Sequence, residues 1–380
     1  MKIGYQSMVI NPTSPQRPVG HLLDRNNLSL TKGDMFIRCF FIEIEQPILL
    51  VTLDVFAISP IVIKKMEELA QHHFQSPIKL IASATHVHSA PSLFTGYHTF
   101  KHNPKYLSYV LERFEICLIK LRSQKIDLKI AFSCQDITLD GFYHHPLGTT
   151  RLQLLSLYDD VRPVSHWVFF NAHPTLVAKN AHYFSSDYVG AMLEKLQRQH
   201  PFETFIFFQG ACLDVDVDEM QITPTYQESI KISNILVDHI NKLIRSTAFI
   251  HPSSIMTRTI TIPISHQTKS IRRFVATKNP QLTHFAEQLL PKIKEYEAHL
   301  PTEVDFVVFE MSQCTLIFTP FEWHSFYQQQ LPSFKVLVGF SNGYYGNIDR
   351  PAPDSLTMSS FFETIRETQK TRLIDTLKKL

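Results

Sequence analysis

The chain has 380 residues, 44% of them hydrophobic and 19% charged, and 37 Lys+Arg set against 35 Asp+Glu leave a formal net charge of +2. That balance belongs to a globular protein with a large core and leaves no electrostatic footing for nucleic-acid binding. The longest apolar stretches, such as 47–58, are broken by Asp54 and too short for stable membrane insertion.

The first five residues carry no secretory apolar run, and the five cysteines Cys39, Cys117, Cys134, Cys212 and Cys314 form no CxxC pair. They read as reduced, buried thiols of a cytoplasmic protein. Residues 4–18, rich in Pro, Ser and Asn, are expected to run as an irregular surface segment. Residues 35–45 and 47–58 then read as two strands, and Ser59-Pro60 opens a helix through His73. The apolar run 78–82 is a buried strand leading into Thr85-His86-Val87-His88-Ser89-Ala90-Pro91, so strand, helix and strand make a βαβ unit. In extended backbone the two histidines would project to one side, a metal-ligating arrangement at a strand end.

Further along, 103–122 reads as an amphipathic helix, 128–139, 152–158 and 164–170 as extended runs, and the last of these ends in Asn171-Ala172-His173-Pro174-Thr175. Ser185-Ser186-Asp187 is an N-cap cluster for a helix to Arg198. Residues 204–208 form a buried strand that runs into Gln209-Gly210-Ala211-Cys212-Leu213-Asp214, and the alternation Asp214, Asp216, Asp218 predicts three carboxylates on one strand face. A long helix at 227–245 and a strand at 255–264 follow, then a charged helical excursion at 269–300, the segment best placed for dimer contacts. A hairpin of 304–310 and 315–319 ends in Pro320-Phe321-Glu322, the strand 336–340 ends in Ser341-Asn342-Gly343-Tyr344-Tyr345, and 363–380 closes the chain as a helix. With no repeat and no Gly/Pro-rich linker, the expectation is a single α/β domain over 1–380, with helices flanking mixed sheets and a site at strand carboxyl ends.

His86, His88, His173, Asp214, Asp216 and Glu322 all follow apolar strands. Taken singly, His173 reads as a hydrogen-bonded core histidine and Glu322 as a helix-start carboxylate. Together, His86, His173 and Glu322 match the three His/Asp/Glu ligands of a hydrolytic zinc site.

The segment 85–91 resembles the THTHSGP motif of neutral, non-lysosomal ceramidases. The resemblance recurs in order at Asn11-Pro12, at 171–175, at 185–187, at 209–211, at Pro320-Phe321-Glu322 and at 341–344. It implies the α/β fold of that family's catalytic domain, one zinc ion held by His86, His173 and Glu322, and an active-site His88 contacting the substrate. The family's serine nucleophile falls on Asp216, its arginine on His144, and the tyrosine completing the zinc sphere on Asn347, with Tyr344 and Tyr345 as alternatives. The secretory signal and C-terminal β-sandwich domain of membrane-associated ceramidases have no counterpart in the sequence as read.

The expected function is zinc-dependent hydrolysis of an amide or ester of a small molecule, one with an acyl chain included. Water would be the nucleophile, Asp216 the base, and His88 or His144 the proton donor. Asp216 would alternatively join His86 or His88 around a second divalent cation, Asp214 is a further candidate for the fourth ligand or the pocket, and a dinuclear amidohydrolase is the second enzyme reading. A degenerate family member that binds metal or an acyl ligand without turnover is the non-enzymatic alternative.

Overall fold

The computed structural model describes all residues except 20–26, 95–102, 145–149, 178–180, 219–220, 248–249, 267–282, 284–286, 288–299, 352–362 and 364. Nearly all of the charged stretch 269–300, expected to be helical and to carry dimer contacts, lies outside the described residues.

Three sheets carry the fold. The first comprises β1 (Lys2–Val9), β2 (Phe36–Glu43), β3 (Ile48–Leu53), β4 (Lys79–Ala84) and β5 (Ser123–Lys125), in the order β4-β3-β2-β1-β5. The second has β6 (Leu128–Ile137), β7 (Thr150–Asp159), β8 (Arg162–Phe170), β9 (Thr204–Gln209) and β10 (His251–Pro252), in the order β9-β8-β7-β6-β10. The third runs β11 (Met256–Pro263), β12 (Glu303–Glu310), β13 (Thr315–Phe318), β14 (Lys335–Val338) in sequence order. Each sheet is otherwise antiparallel and ends in one parallel pair: β3 with β4, β8 with β9, and β13 with β14.

The helices α1 (Pro60–Phe74), α2 (Pro104–Lys120), α3 (Asp187–Gln199), α4 (Tyr226–Arg245), α5 (Ser325–Gln329) and α6 (Glu367–Lys379) pack outside the sheets. The period-two alternation of the strands explains the layering. Leu49, Val51 and Leu53 of β3 share a cluster with Val62 and Met66 of α1 and Val110 and Phe114 of α2. Ile48 and Leu50 point to the opposite face, into a central cluster with Trp167, Phe169, Phe208, Phe318 and Val338 from the other two sheets. In β9, Ile206 and Phe208 enter that centre, while Phe205 and Phe207 pack with Val189 of α3 and Leu236 of α4. Burying such a side chain is worth about 1.5–3 kcal/mol, so the central cluster, which draws residues from all three sheets, ties them together.

The first residues depart from expectation. Residues 2–9 are not irregular but form β1, an inner strand paired with β2 and β5. The prolines, Asn11 and Ser14 that argued for a surface segment lie beyond Val9, and Ile3, buried in the central cluster, supplies the apolar anchor. Gly4 is needed there, because a Cβ would stand 2.7 Å from the Arg122 carbonyl oxygen. The closing helix begins at Glu367 and not at Glu363, which instead bridges to Asn347. Among the described residues no helix is long and apolar enough to cross a membrane.

Candidate metal centre

The carboxyl ends of the three parallel pairs are stitched together by backbone hydrogen bonds. Ala84 N–H donates to the Phe340 carbonyl (3.0 Å), Gly339 N–H to Gln209 (3.0 Å), and Leu213 N–H to Trp323 (3.0 Å). The approach at Gly339 is close enough that a Cβ would lie 2.8 Å from the Phe321 oxygen, so only glycine fits. On this junction His86, His173, Cys212 and Glu322, all buried, bring one ligand atom each to within 4.8 Å of one another.

The local backbone explains the convergence. β4 ends at Ala84, and His86 is not extended but left-handed at φ +63°. His86 and His88 therefore do not share a strand face, and it is this turn that brings their rings together. A non-glycine residue in that region costs of order 1–3 kcal/mol, so the surroundings must hold it. They do so by stacking the His86 ring on Phe340 (centroids 3.8 Å apart, 20° between planes) and by a 2.9 Å bond from Nδ1 to the Phe56 carbonyl. His173 is fixed in the same manner, with Nδ1 3.2 Å from the Val215 carbonyl and its own N–H donating to that oxygen at 2.9 Å. A carbonyl only accepts, so both rings carry a proton on Nδ1 and turn Nε2 inward.

Glu322 stands between them. Its Oε1 is 2.8 Å from His173 Nε2 and its Oε2 is 3.9 Å from His86 Nε2. It lies on a two-residue strand, Glu322–Trp323, paired in parallel with Asn347–Ile348, and not at a helix start. The Tyr344 hydroxyl reaches Glu322 Oε2 (3.2 Å) and Asn347 Oδ1 (2.7 Å), which aims the carboxylate. His88 places Nε2 3.1 Å from His86 Nε2. With His86 Nε2 an acceptor, the proton of this contact sits on His88. Cys212 places Sγ 3.8 Å from His173 Nε2.

Titration follows from this crowding. Burial pushes His86 down to about 4 against the pull of Glu322. Burial also disfavours the charged form of His173, but Cys212 and Glu322 outweigh it and hold that ring well above its ordinary value. Burial would raise Glu322, yet the His173 contact lowers it. Burial lifts the Cys212 thiol to about 11 despite His173. The proton between His173 and Glu322 thus stands where a cation would sit, and binding a cation would release it. Imidazole nitrogens, a carboxylate oxygen and a thiol form a donor set suited to zinc-class ions and poorly suited to magnesium or calcium.

The remaining expected residues divide. Asp214 accepts the Ser325 N–H and Oγ–H (2.6 Å each) at the start of α5, which directs its carboxylate to that helix. Asp216 is exposed, and its Oδ1 accepts from the Thr175 hydroxyl and from the Val217 N–H (2.7 Å). Asp218 accepts from Gln221 Nε2 at 2.8 Å. The three carboxylates share no face, because the strand here is only Val215–Val217, entered through a tight turn in which Val215 N–H donates to Cys212 (2.8 Å). His144 lies opposite Val215 in the ribbon of Phe142–His144 with Val215–Val217, and its side chain is outside the described residues. Tyr345 packs on Phe321 in the cluster behind the third sheet, so of the two tyrosines it is Tyr344 that reaches Glu322.

A buried collar supports the two histidine loops. Ser185 N–H donates to the Ser89 carbonyl (2.9 Å), and Ser89 Oγ–H donates to the Val177 carbonyl (3.2 Å). The Asp187 carboxylate accepts Val177 N–H (2.9 Å) and Tyr188 N–H (2.6 Å). Ser186 precedes α3 but makes no side-chain cap. Instead Ser185 Oγ accepts the Asp187 N–H (3.0 Å), and Asp187 adopts φ +53°.

The fold these elements build is that of the neutral ceramidases. The structure matches neutral ceramidase from Pseudomonas aeruginosa with a TM-score of 0.76 at 12% identity, over 99% of this chain and 73% of that one. It also matches a ceramidase complexed with C2, with a TM-score of 0.74 at 12% identity over 99% and 74% of the two chains. No family model matches the sequence, and no curated protein matches it.

Cys212 is the member of the cluster that sequence reasoning missed. It was legible as a buried thiol. Its signal was position: it follows an apolar strand within the Gly210-Ala211 turn, as His86 and His173 follow theirs.

Proposed function

We propose that this chain is a metal-dependent hydrolase acting on an amide or ester bond of a small molecule, in a cytoplasmic setting and as a single domain. One observation carries the reading: two Nδ1-anchored histidines and a carboxylate converge at the joined strand ends of a ceramidase-like fold. His86, His173 and Glu322 would hold the ion, one zinc per chain. When bound, such an ion supplies Lewis acidity to a substrate carbonyl and to an attacking water.

The other roles belong to this chain's own groups. Asp216 stands where the resemblance puts a serine. Its exposed carboxylate, steadied by Thr175 and Val217, would take the proton of an attacking water. His88, with its proton on Nε2, would donate to the oxygen on which negative charge develops. His144, on the strand opposite, is the second candidate donor. Tyr344 and Asn347 orient Glu322. Phe56 and Phe94 pack around His88 and Tyr344, which favours substrates with an acyl chain.

Elemental analysis of the purified protein tests the reading, with about one zinc per chain expected and loss of that zinc in His173→Ala. A panel of amides and esters should then be turned over by the wild type and not by Asp216→Asn, with the metal retained in the latter. Two metals per chain would bring back the dinuclear alternative. Metal without turnover would favour the degenerate binding protein, a reading supported by the aspartate at the serine's position.

A further inference from the structure

We infer that Cys212 is a thiolate ligand of the metal, which makes the centre a four-donor His₂-Glu-Cys site and leaves Tyr344 outside it as a positioning residue for Glu322. The inference rests on the metal-site reading above and concerns which atoms complete it.

Three observations lead there. The first is distance. For Zn–N of about 2.0–2.1 Å and Zn–S of about 2.3 Å, a tetrahedral N···S edge is about 3.6 Å and an N···O edge about 3.3 Å. Cys212 Sγ is 3.8 Å from His173 Nε2, and Glu322 oxygens are 2.8 Å from His173 Nε2 and 3.9 Å from His86 Nε2.

The second is placement. The residue after Cys212 donates its N–H to Trp323, the residue after Glu322 (3.0 Å), and the Cys212 carbonyl accepts from Val215, whose own oxygen anchors His173. The thiol, the carboxylate and the imidazole thus hang on one continuous backbone network. The third is the alternative. The Tyr344 hydroxyl has Glu322 Oε2 and Asn347 Oδ1 as partners, the bonding of a group that aims a ligand.

A thiolate donor changes what the site selects. Sulfur favours zinc, cobalt and cadmium over manganese and magnesium, which an oxygen-rich set would admit. Only one of the five cysteines belongs to the cluster, so sulfur ligation is assignable without ambiguity.

The test reads the bond and not catalysis. Metal-stripped full-length protein is loaded with Co²⁺ and its absorption spectrum recorded beside Cys212→Ser and Tyr344→Phe. The expected result is a sulfur-to-cobalt charge-transfer band in the wild type and in Tyr344→Phe. In Cys212→Ser that band is lost, while visible d–d bands remain and affinity falls at least 10–100-fold. X-ray absorption of the zinc form should show one sulfur at about 2.3 Å. Bound cobalt with d–d bands but no charge-transfer band in the wild type would overturn the thiolate ligand and leave the metal site standing. A chelator-sensitive band that persists in Cys212→Ser would do the same. A wild-type protein that takes up no cobalt or zinc would overturn both readings.

Discussion

Two buried clusters in this protein use the same residue types to opposite ends. At the sheet junction, His86 and His173 each spend Nδ1 on a backbone carbonyl and turn Nε2 toward Glu322. In the second sheet, the cross-strand neighbours Ser156 and His166 form a chain with Glu203. His166 Nδ1 is 2.7 Å from Ser156 Oγ, and its Nε2 is 2.7 Å from Glu203 Oε2. Glu203 also meets His200, whose Nε2 is 2.8 Å from Asn241 Oδ1. Ser, His and Glu suggest a hydrolytic triad, but Ser156 is 1% exposed, and both nitrogens of His166 are consumed along a line. Burial lowers the His166 pKa, so the ring stays neutral between its two partners. The lesson is geometric. A polar cluster that closes on itself stabilises a fold, whereas one whose lone pairs converge on a shared point can take a ligand.

Mutations can break this contrast from either side. The largest effect is expected for Glu322→Ala, which removes the carboxylate whose two oxygens face the two imidazoles: metal content should fall to background by elemental analysis. In His166→Ala the expectation reverses. Metal content should be unchanged, while denaturant unfolding should show a loss of about 2–4 kcal/mol from a cavity and two stranded polar partners. A metal-free His166→Ala protein would show that the two clusters are coupled.

A smaller effect tests the collar behind the histidine loops. Burial raises the Asp187 pKa from its ordinary 3.8 to about 6. A carboxyl raised on folding binds its proton more tightly in the native state, so stability falls as pH rises through this window and is regained on acidification. Relative to Asp187→Asn, the wild type should gain roughly 1 kcal/mol between pH 7 and pH 5, measured by chemical denaturation at both. A difference that is flat with pH would mean the carboxyl is already ionised at pH 5. The smallest effect sets the baseline: Glu194→Ala breaks the exposed i,i+4 pair with Arg198 and should cost no more than about 0.5 kcal/mol.

Much of the fold was legible because its strands are continuous apolar runs buried on both faces. Residues 48–53, 164–170 and 204–208 could be read directly, and so could α1 from Ser59-Pro60 and α4 from its amphipathic stripe. β1 was hidden, since its pairing comes from strands β2 and β5 rather than from its own composition. Within the site, His86, His173 and Glu322 were each legible from their place after a strand. What could not be read was direction. The left-handed His86, the turn that sends Asp214 to α5 while leaving Cys212 at His173, and the Tyr344 bond to Glu322 all depend on tertiary approach.

The joining of three parallel edge pairs also bears on how the molecule assembles. His86, His173 and Glu322 follow strands of three sheets encoded in succession along the chain, so no one sheet contains a complete site. Such long-range closure is slow, and the centre is complete only once all three sheets have docked. Metal capture would therefore report completed folding. An ion that recognises only the finished junction draws the population toward it by mass action, to an extent set by its free concentration.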